Sequence, residues 1–412
     1  MAYQAFSRIA AGDILSPRCN YFAAEQGSTL ATIERVAQPV RAKNRGRALP
    51  YRELPRTLGA VNACWIAAAL EASGHAAPKI DQLLIEPVDA NCSTTARLHL
   101  RGSANGEALP TTMFLKLCPP GHDFLGASEI AYYTRDYRDL KAAPLIHCYA
   151  AIGPDPSDLG SSVGAGYALL LADLTADYID NKVIPPTAAH ARRLGGALGK
   201  LHAHRRGVAG DPDGPHNLDA DLDRYLDHVA KGLEPVLEVL GNEIDAPSRD
   251  RLRRVFDEDV ERMRRRARTG EGVALLHGDP NPTNVLTHRN QTDPALGGPA
   301  LYLIDRQPFT WSLRLWLGAI DLVHASVPYW SPKARRDHEH DLMRGYHHAL
   351  LEGGVSDHSW ERLVEDWRAC LCQGALIAVE WGAESDGIEN MRWLWQDQLN
   401  RALQAMLDWD DA

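Results

Sequence analysis

The run Leu275 to Leu286, LLHGDPNPTNVL, sets His277, Gly278, Asp279 and Asn284 between apolar segments, and twenty-one positions after Asn284 the run LYLID ends on Asp305. Transfer of a phosphoryl group needs a carboxylate that orients the attacking hydroxyl, together with oxygen ligands that hold magnesium against the phosphates of ATP. Asp279 is of the right type for the first task, and Asn284 with Asp305 for the second. NVLTH and ALYLID flank the turn-rich HRNQTDPALGGP, which predicts a hairpin that brings a loop ending at Asn284 beside a strand ending at Asp305.

These residues must be carried by a framework. Strand-like runs QLLIEPV, TARLHL, TTMFLKL, LIHCYAA and YALLLAD predict an antiparallel sheet, with a helix from Thr57 to about Gly74 before it and another over Ser128 to Leu140 within it. From about Thr187 the periodicity turns helical, as in AAHARRLGGALGKLHAH and LDRYLDHVAKGLEPVLEVL. The pattern predicts an α+β chain with a small strand-rich half and a mainly helical one. The expected division is a poorly ordered basic extension over 1–50, a nucleotide-binding lobe over 51–174, and a helical lobe with the hairpin and the acceptor pocket over 175–412.

Composition narrows the alternatives. The 412 residues are 45% apolar and 24% charged, the balance of a folded globular chain. The net charge of −10 argues against a general attraction to nucleic acid or anionic membrane. Arg249 to Arg268 holds nine Arg, but with five acids it reads as a solvated helix face. Ala369 to Val379 is too short for a membrane span and reads as a buried helix. Seven cysteines without paired CxxC spacing support neither a disulfide framework nor a zinc site, so a reducing cytoplasm is expected. His202 and His204, and the group His338, His340, His347 and His348, lack the partner pattern of a tetrahedral metal site. No GxSxG elbow or HExxH helix supports a hydrolase.

With its HGD loop, an Asn five positions after the Asp and a later apolar strand ending in Ile-Asp, the sequence resembles the aminoglycoside phosphotransferase and choline kinase superfamily. LIDRQPF and the Asp321-Leu322 step are most similar to its ecdysteroid-kinase-like branch. The resemblance covers roughly Lys79 to Tyr329 and implies a bilobal protein-kinase-like fold, ATP and Mg2+ as cofactors, and a small-molecule alcohol as acceptor. It also implies that Lys116, alone on the apolar strand MFLKL, holds the α- and β-phosphates and that Glu129, thirteen residues on, orients it. Ser93, Thr94 and Thr95 would contact phosphate in place of a glycine loop. Backbone groups near Ala172 and Leu174 would meet the adenine edge, and His277 and Asp321 would give structural support. Arg306-Gln307 stands where a protein kinase has Phe-Gly, and Gly278 where it has Arg, which separates this chain from protein kinases.

Acceptor choice is expected in the helical half. From Arg306 onward there are 17 acids against 10 Arg and Lys, and nine of the ten Trp. Carboxylates beside aromatic faces suit a cationic acceptor, whereas aromatic walls alone suit a bulky apolar alcohol. The competing reading is a nucleotide-binding pseudokinase acting as an interaction module.

Overall fold

The computed structural model describes residues 54–76, 78–88, 93–118, 120, 128–153, 166–183, 185–207, 217–290, 300–306, 312–383 and 387–410. The basic segment 1–50, the turn 89–92, most of the hairpin loop, Gln307 and Trp311 therefore lie outside the described residues.

An antiparallel sheet is built from β1 (Lys79–Val88), β2 (Thr94–Ala104), β3 (Glu107–Ala108), β4 (Thr112–Cys118), β5 (Cys148–Ile152) and β6 (Tyr167–Ala172). Its order is β1-β2-β4-β6-β5, with the short β3 paired to β2. Successive side chains in a strand point to opposite faces, and β4 uses both. Met113, Leu115 and Leu117 join Ala168 and Leu170 of β6 against Trp65, Ile66 and Leu70 of α1 (Ala63–Ala72). On the other face Cys118 packs with Tyr167, Leu169 and Leu171, and Lys116 shares that side of the strand. One apolar strand thereby presents its single cation away from the α1 core.

The helix expected from Thr57 is split. Leu58–Ala60 forms one 3-10 turn, Val61 is extended, and α1 starts only where the Asn62 side chain accepts from the Trp65 N–H. The helix expected over Ser128 to Leu140 is also shorter. It is α2 (Ser128–Ala131) continued by a π-turn, Tyr132–Asp136, and stops at Tyr137. The wider turn brings Asp136 to zero exposure, where it meets an arginine described below.

The helical half runs through α3 (Ala188–His204), α4 (Leu218–Val229), α5 (Leu233–Leu240), α6 (Ala246–Arg254), α7 (Val260–Ala267), α8 (Ala319–Ser326), α9 (Pro332–Glu352), α10 (Trp360–Cys370), α11 (Cys372–Glu380), α12 (Gly387–Asn390) and α13 (Arg392–Asp410). α3 and α9 cross with their backbones in contact. A Cβ on Gly195 would stand 2.0 Å from the Leu342 carbonyl, and one on Gly345 2.1 Å from that of Arg192, so only glycine permits the crossing. Ala369 to Val379 is buried as expected but breaks at Leu371 between α10 and α11.

Two further small sheets set the site. The expected hairpin is present as β9 (Val285–His288) and β10 (Leu301–Leu303), and a third strand, β7 (Tyr178–Asp180), extends it. β8 (Val273–Leu275) pairs with β11 (Leu315–Leu317), which fastens the entrance of the HGD loop beside the entrance of α8. The arginine-rich stretch is less solvated than expected. Arg251 and Arg266 are each only 9% exposed and are drawn in by Asp259 and by Asp366, the latter at 2.6 Å.

Candidate active site

The HGD loop leaves β8 through Leu276, whose N–H donates to the Arg314 carbonyl at 2.8 Å. Gly278 takes φ +86, a left-handed conformation that favours glycine, and so turns the chain back at the position where a protein kinase has arginine. Asp321, in the first turn of α8 and wholly buried, holds that turn. Its carboxylate accepts from the His277 N–H at 2.6 Å and the Gly278 N–H at 3.0 Å. It also contacts His202 Nε2 at 3.0 Å, whose Nδ1 meets the Tyr346 hydroxyl at 3.0 Å. Burial works against this charge, but the His202 and backbone hydrogen bonds outweigh it and keep the Asp321 carboxyl below the ordinary carboxylate range. His202, open to a zinc reading by sequence, is thus engaged by Asp321 and Tyr346. His204 faces Asp139 at 2.9 Å.

The loop's own carboxylate, Asp279, keeps about a quarter of its side chain exposed. Asn281 Nδ2 donates to its Oδ1 at 2.8 Å, and Asn284 Nδ2 donates to its Oδ2 at 3.1 Å and to its backbone carbonyl at 2.9 Å. His324, which the sequence reading passed over, brings Nε2 within 3.3 Å of Oδ1. Burial opposes the charge, yet the contacts with His324 and Asn281 hold this carboxyl below its usual range, so it is an anion at neutral pH. His277 is the reverse case. Burial pushes its imidazole down to about 4, leaving it neutral. Its ring stands edge-on to Tyr132 at 5.7 Å, and its Nδ1 accepts from the Asp279 N–H at 3.4 Å.

Asp305 lies two residues past β10 with φ +58, a left-handed turn that an Asp tolerates better than most side chains. The Ile304 N–H donates to the Asn284 carbonyl at 2.9 Å, so the chain just before Asp305 is tied to Asn284 itself. Lys116 crosses from the sheet to meet both Asp305 and Glu129, the second at 2.7 Å. Tyr167 donates its hydroxyl to the same Glu129 oxygen at 3.0 Å. Burial alone would lower the Lys116 pKa, but Asp305 and Glu129 raise it above its ordinary value, while burial raises that of Glu129. The same burial pushes the neighbouring Cys118 thiol up to about 12.

Arg306 was noted in the sequence only as a departure from Phe-Gly, and the structure gives it a position at the centre of these parts. It has zero exposure, donates Nε to the Leu276 carbonyl at 2.9 Å, and pairs with Asp136 at 3.0 Å. Its guanidinium lies 5.8 Å from the Tyr132 ring centre, and its carbonyl accepts from the Ser128 hydroxyl at 3.4 Å. One buried cation therefore ties the residue after Asp305 to the HGD loop and to the short helix that carries Glu129.

Other expected positions are placed as follows. Thr94 and Thr95 begin β2 opposite Leu117 and Lys116, and Ser93 precedes them, so all three stand at the Lys116 end of the sheet. The Thr95 hydroxyl is spent on the Val88 carbonyl at 2.7 Å. Ala172 and Leu174 lie at the exit of β6. The Ala172 N–H is taken by the His147 carbonyl, and the Leu174 carbonyl by the N–H groups of Asp177 and Tyr178.

A strand lysine and helix glutamate facing carboxylates from a helical half define a bilobal, protein-kinase-like α+β fold. Residues 100–298, which include Lys116, Glu129, Asp279 and Asn284, match the model of the phosphotransferase enzyme family. Solved structures similar to this chain include a choline kinase from Cryptosporidium parvum (12% identity, 80% of this chain and 90% of that one, TM-score 0.48). An ethanolamine kinase from Plasmodium vivax matches at 13% identity over 78% of this chain and 82% of its own, with a TM-score of 0.47. No curated protein matches the sequence.

Proposed function

We propose that this chain is an ATP-dependent phosphotransferase that moves the γ-phosphate of ATP to a hydroxyl of a small molecule. The observation that carries the reading is the ionised, partly exposed Asp279 carboxylate, held by Asn281, Asn284 and His324 on a loop tied to Asp305 and hence to the Lys116–Glu129 pair. The acceptor oxygen would form a bond to the γ-phosphorus as the bond to the bridging oxygen breaks, ADP would leave, and the hydroxyl proton would pass to Asp279. In a loose transition state little nucleophilic push is needed, so Asp279 orients the hydroxyl more than it activates it.

Lys116 would bind the α- and β-phosphates, and Glu129 would aim it. Ser93 and Thr94 would meet phosphate, and backbone groups near Ala172 and Leu174 would meet the adenine edge. Among the described residues no group of three or more His, Cys, Asp or Glu is arranged to hold a metal. An amide and a single carboxylate, Asn284 and Asp305, do fit magnesium, a hard cation that takes one or two protein oxygens and completes its shell with phosphates and water. When bound, magnesium would neutralise phosphate charge. We place the nucleotide lobe at 51–174 and the acceptor lobe at 175–412.

The acceptor is argued from the helical half. Asp321, Glu339, Asp341, Asp366, Asp397 and Asp408 each already face an Arg or His. Trp316, Trp367 and Trp395 have zero exposure in the core. Carboxylates so engaged favour an uncharged alcohol over a cationic acceptor. The test is ATP consumption against a panel of apolar alcohols, aminoglycosides, choline-like amines and hydroxyacyl thioesters, with the phosphorylated product identified by phosphorus NMR. Phosphoester formation with an uncharged alcohol, insensitive to salt, is expected. ATP binding without any product would favour the interaction-module reading, and a salt-sensitive cationic acceptor would reverse the acceptor assignment.

A further inference from the structure

α8 carries two residues toward the HGD loop. Asp321 and His324 are three positions apart and so share a helix face. Asp321 holds the loop's backbone through the N–H groups of His277 and Gly278, and His324 reaches the loop's carboxylate, with Nε2 at 3.3 Å from Asp279 Oδ1. His324 is 9% exposed, and its ring lies nearly parallel to that of Tyr329, 14° apart with centres 6.2 Å apart. An ionised carboxylate only accepts, so the facing ring nitrogen must be the protonated one.

The two oxygens of Asp279 are unequally used. Among the described residues Oδ1 meets two nitrogens, Asn281 Nδ2 at 2.8 Å and His324 Nε2 at 3.3 Å, while Oδ2 meets one, Asn284 Nδ2 at 3.1 Å. Each carboxylate oxygen has roughly two lone-pair directions. Among the described residues these two nitrogens flank Oδ1, and a direction stays open on Oδ2. We infer that His324 is a positioning residue for Asp279: its Nε2–H saturates Oδ1 and fixes the carboxylate so that Oδ2 is the oxygen presented to the acceptor hydroxyl. Without that donor the carboxylate can rotate about its last bond and offer either oxygen, which weakens the alignment of hydroxyl and phosphorus on which transfer depends.

The inference rests on the proposed function, and the experiment separates the two. His324→Phe keeps a planar ring against Tyr329 and removes the donor, whereas His324→Gln keeps a donor near the place of Nε2. ADP release is measured with water as acceptor, beside wild type and Asp279→Asn, together with the thermal midpoint of each variant and nitrogen-15 NMR of the wild-type imidazole. The Phe variant should lose on the order of tenfold to a hundredfold in kcat with KM for ATP unchanged. The Gln variant should recover most of that loss, and the wild-type His324 ring should be the Nε2–H tautomer. An Nδ1–H tautomer overturns the inference, as does a Phe variant within twofold of wild type while Asp279→Asn is inactive. A loss that Gln fails to rescue and that follows a lowered thermal midpoint overturns it as well, by making His324 a packing residue. Equal ADP release from wild type and Asp279→Asn removes the proposed function, and the tautomer then decides the geometry of His324 by itself.

Discussion

Replacing Asp321 by Asn changes no volume, so its cost comes almost wholly from hydrogen bonding. In the native protein Oδ2 accepts from the His277 N–H and contacts His202 Nε2, while Oδ1 accepts from the Gly278 N–H. An amide offers one oxygen and one NH2. With the oxygen toward Gly278, the NH2 confronts the His277 N–H; flipped, it confronts that of Gly278. His202 can change tautomer to accept, but a backbone N–H cannot. One buried donor is orphaned in either orientation, at about 1–3 kcal/mol, and the surviving bonds lose the extra strength of a charged acceptor, about another 1 kcal/mol. Asp321→Asn should therefore destabilise by about 2–4 kcal/mol at pH 7, read as a lower urea midpoint at unchanged slope. The sign with pH follows from the lowered native pKa of Asp321. Its stabilisation is complete above the unfolded carboxylate value, about 3.9, and is lost as pH falls through the lower native value. The gap between wild type and variant should hold from pH 7 to about 4 and close below it. A gap under about 1 kcal/mol at pH 7, or one that widens in acid, would refute the assignment of Asp321 as the carboxylate that holds the HGD loop.

Arg306→Met should cost about 1–3 kcal/mol, because it removes the donor to the buried Leu276 carbonyl and one of the two arginines, Arg306 and Arg135, that face the buried Asp136 carboxylate; Arg306→Met combined with Asp136→Asn should restore part of that, and an additive double variant in urea unfolding would show the pair to be uncoupled. Replacing Asn284 or Asp305 by Ala should raise the magnesium concentration needed for half-maximal ATP binding, measured by titration calorimetry at several metal concentrations. Unchanged dependence in both variants would remove them as ligands.

The parts of the site that could be read in the sequence are those that violate local expectation. A lysine in MFLKL is conspicuous because its neighbours alternate between two buried faces, and HGD with Asn284 is conspicuous because polar residues interrupt two apolar runs. The hairpin from β9 to β10 was legible for the same reason, having strands on either side of a turn-rich loop. β7, β8, β10 and β11 are three residues each, too short to show a period, and β7, β8 and β11 were not foreseen. β8 with β11 makes Asp321 and His324 neighbours of a loop more than forty residues earlier, so His324 in AIDLVHAS looked like an ordinary residue of an apolar helix. Arg306 was visible as a departure from a pattern, but its partner Asp136 depends on a π-turn that a helical period does not announce. The aromatic, acidic character of the C-terminal half was read correctly as composition, yet ion pairing with arginines scattered along the chain changes what those acids are free to bind.

The central claim is that Asp279 aligns a hydroxyl for phosphoryl transfer. Its most direct test is single-turnover transfer of the γ-phosphate from ATP-magnesium by wild type and Asp279→Asn, with nucleotide affinity measured on the same samples. The account predicts that the Asn variant binds ATP-magnesium nearly as wild type does and transfers phosphate at least about a hundredfold more slowly. Transfer at close to the wild-type rate by Asp279→Asn would contradict it.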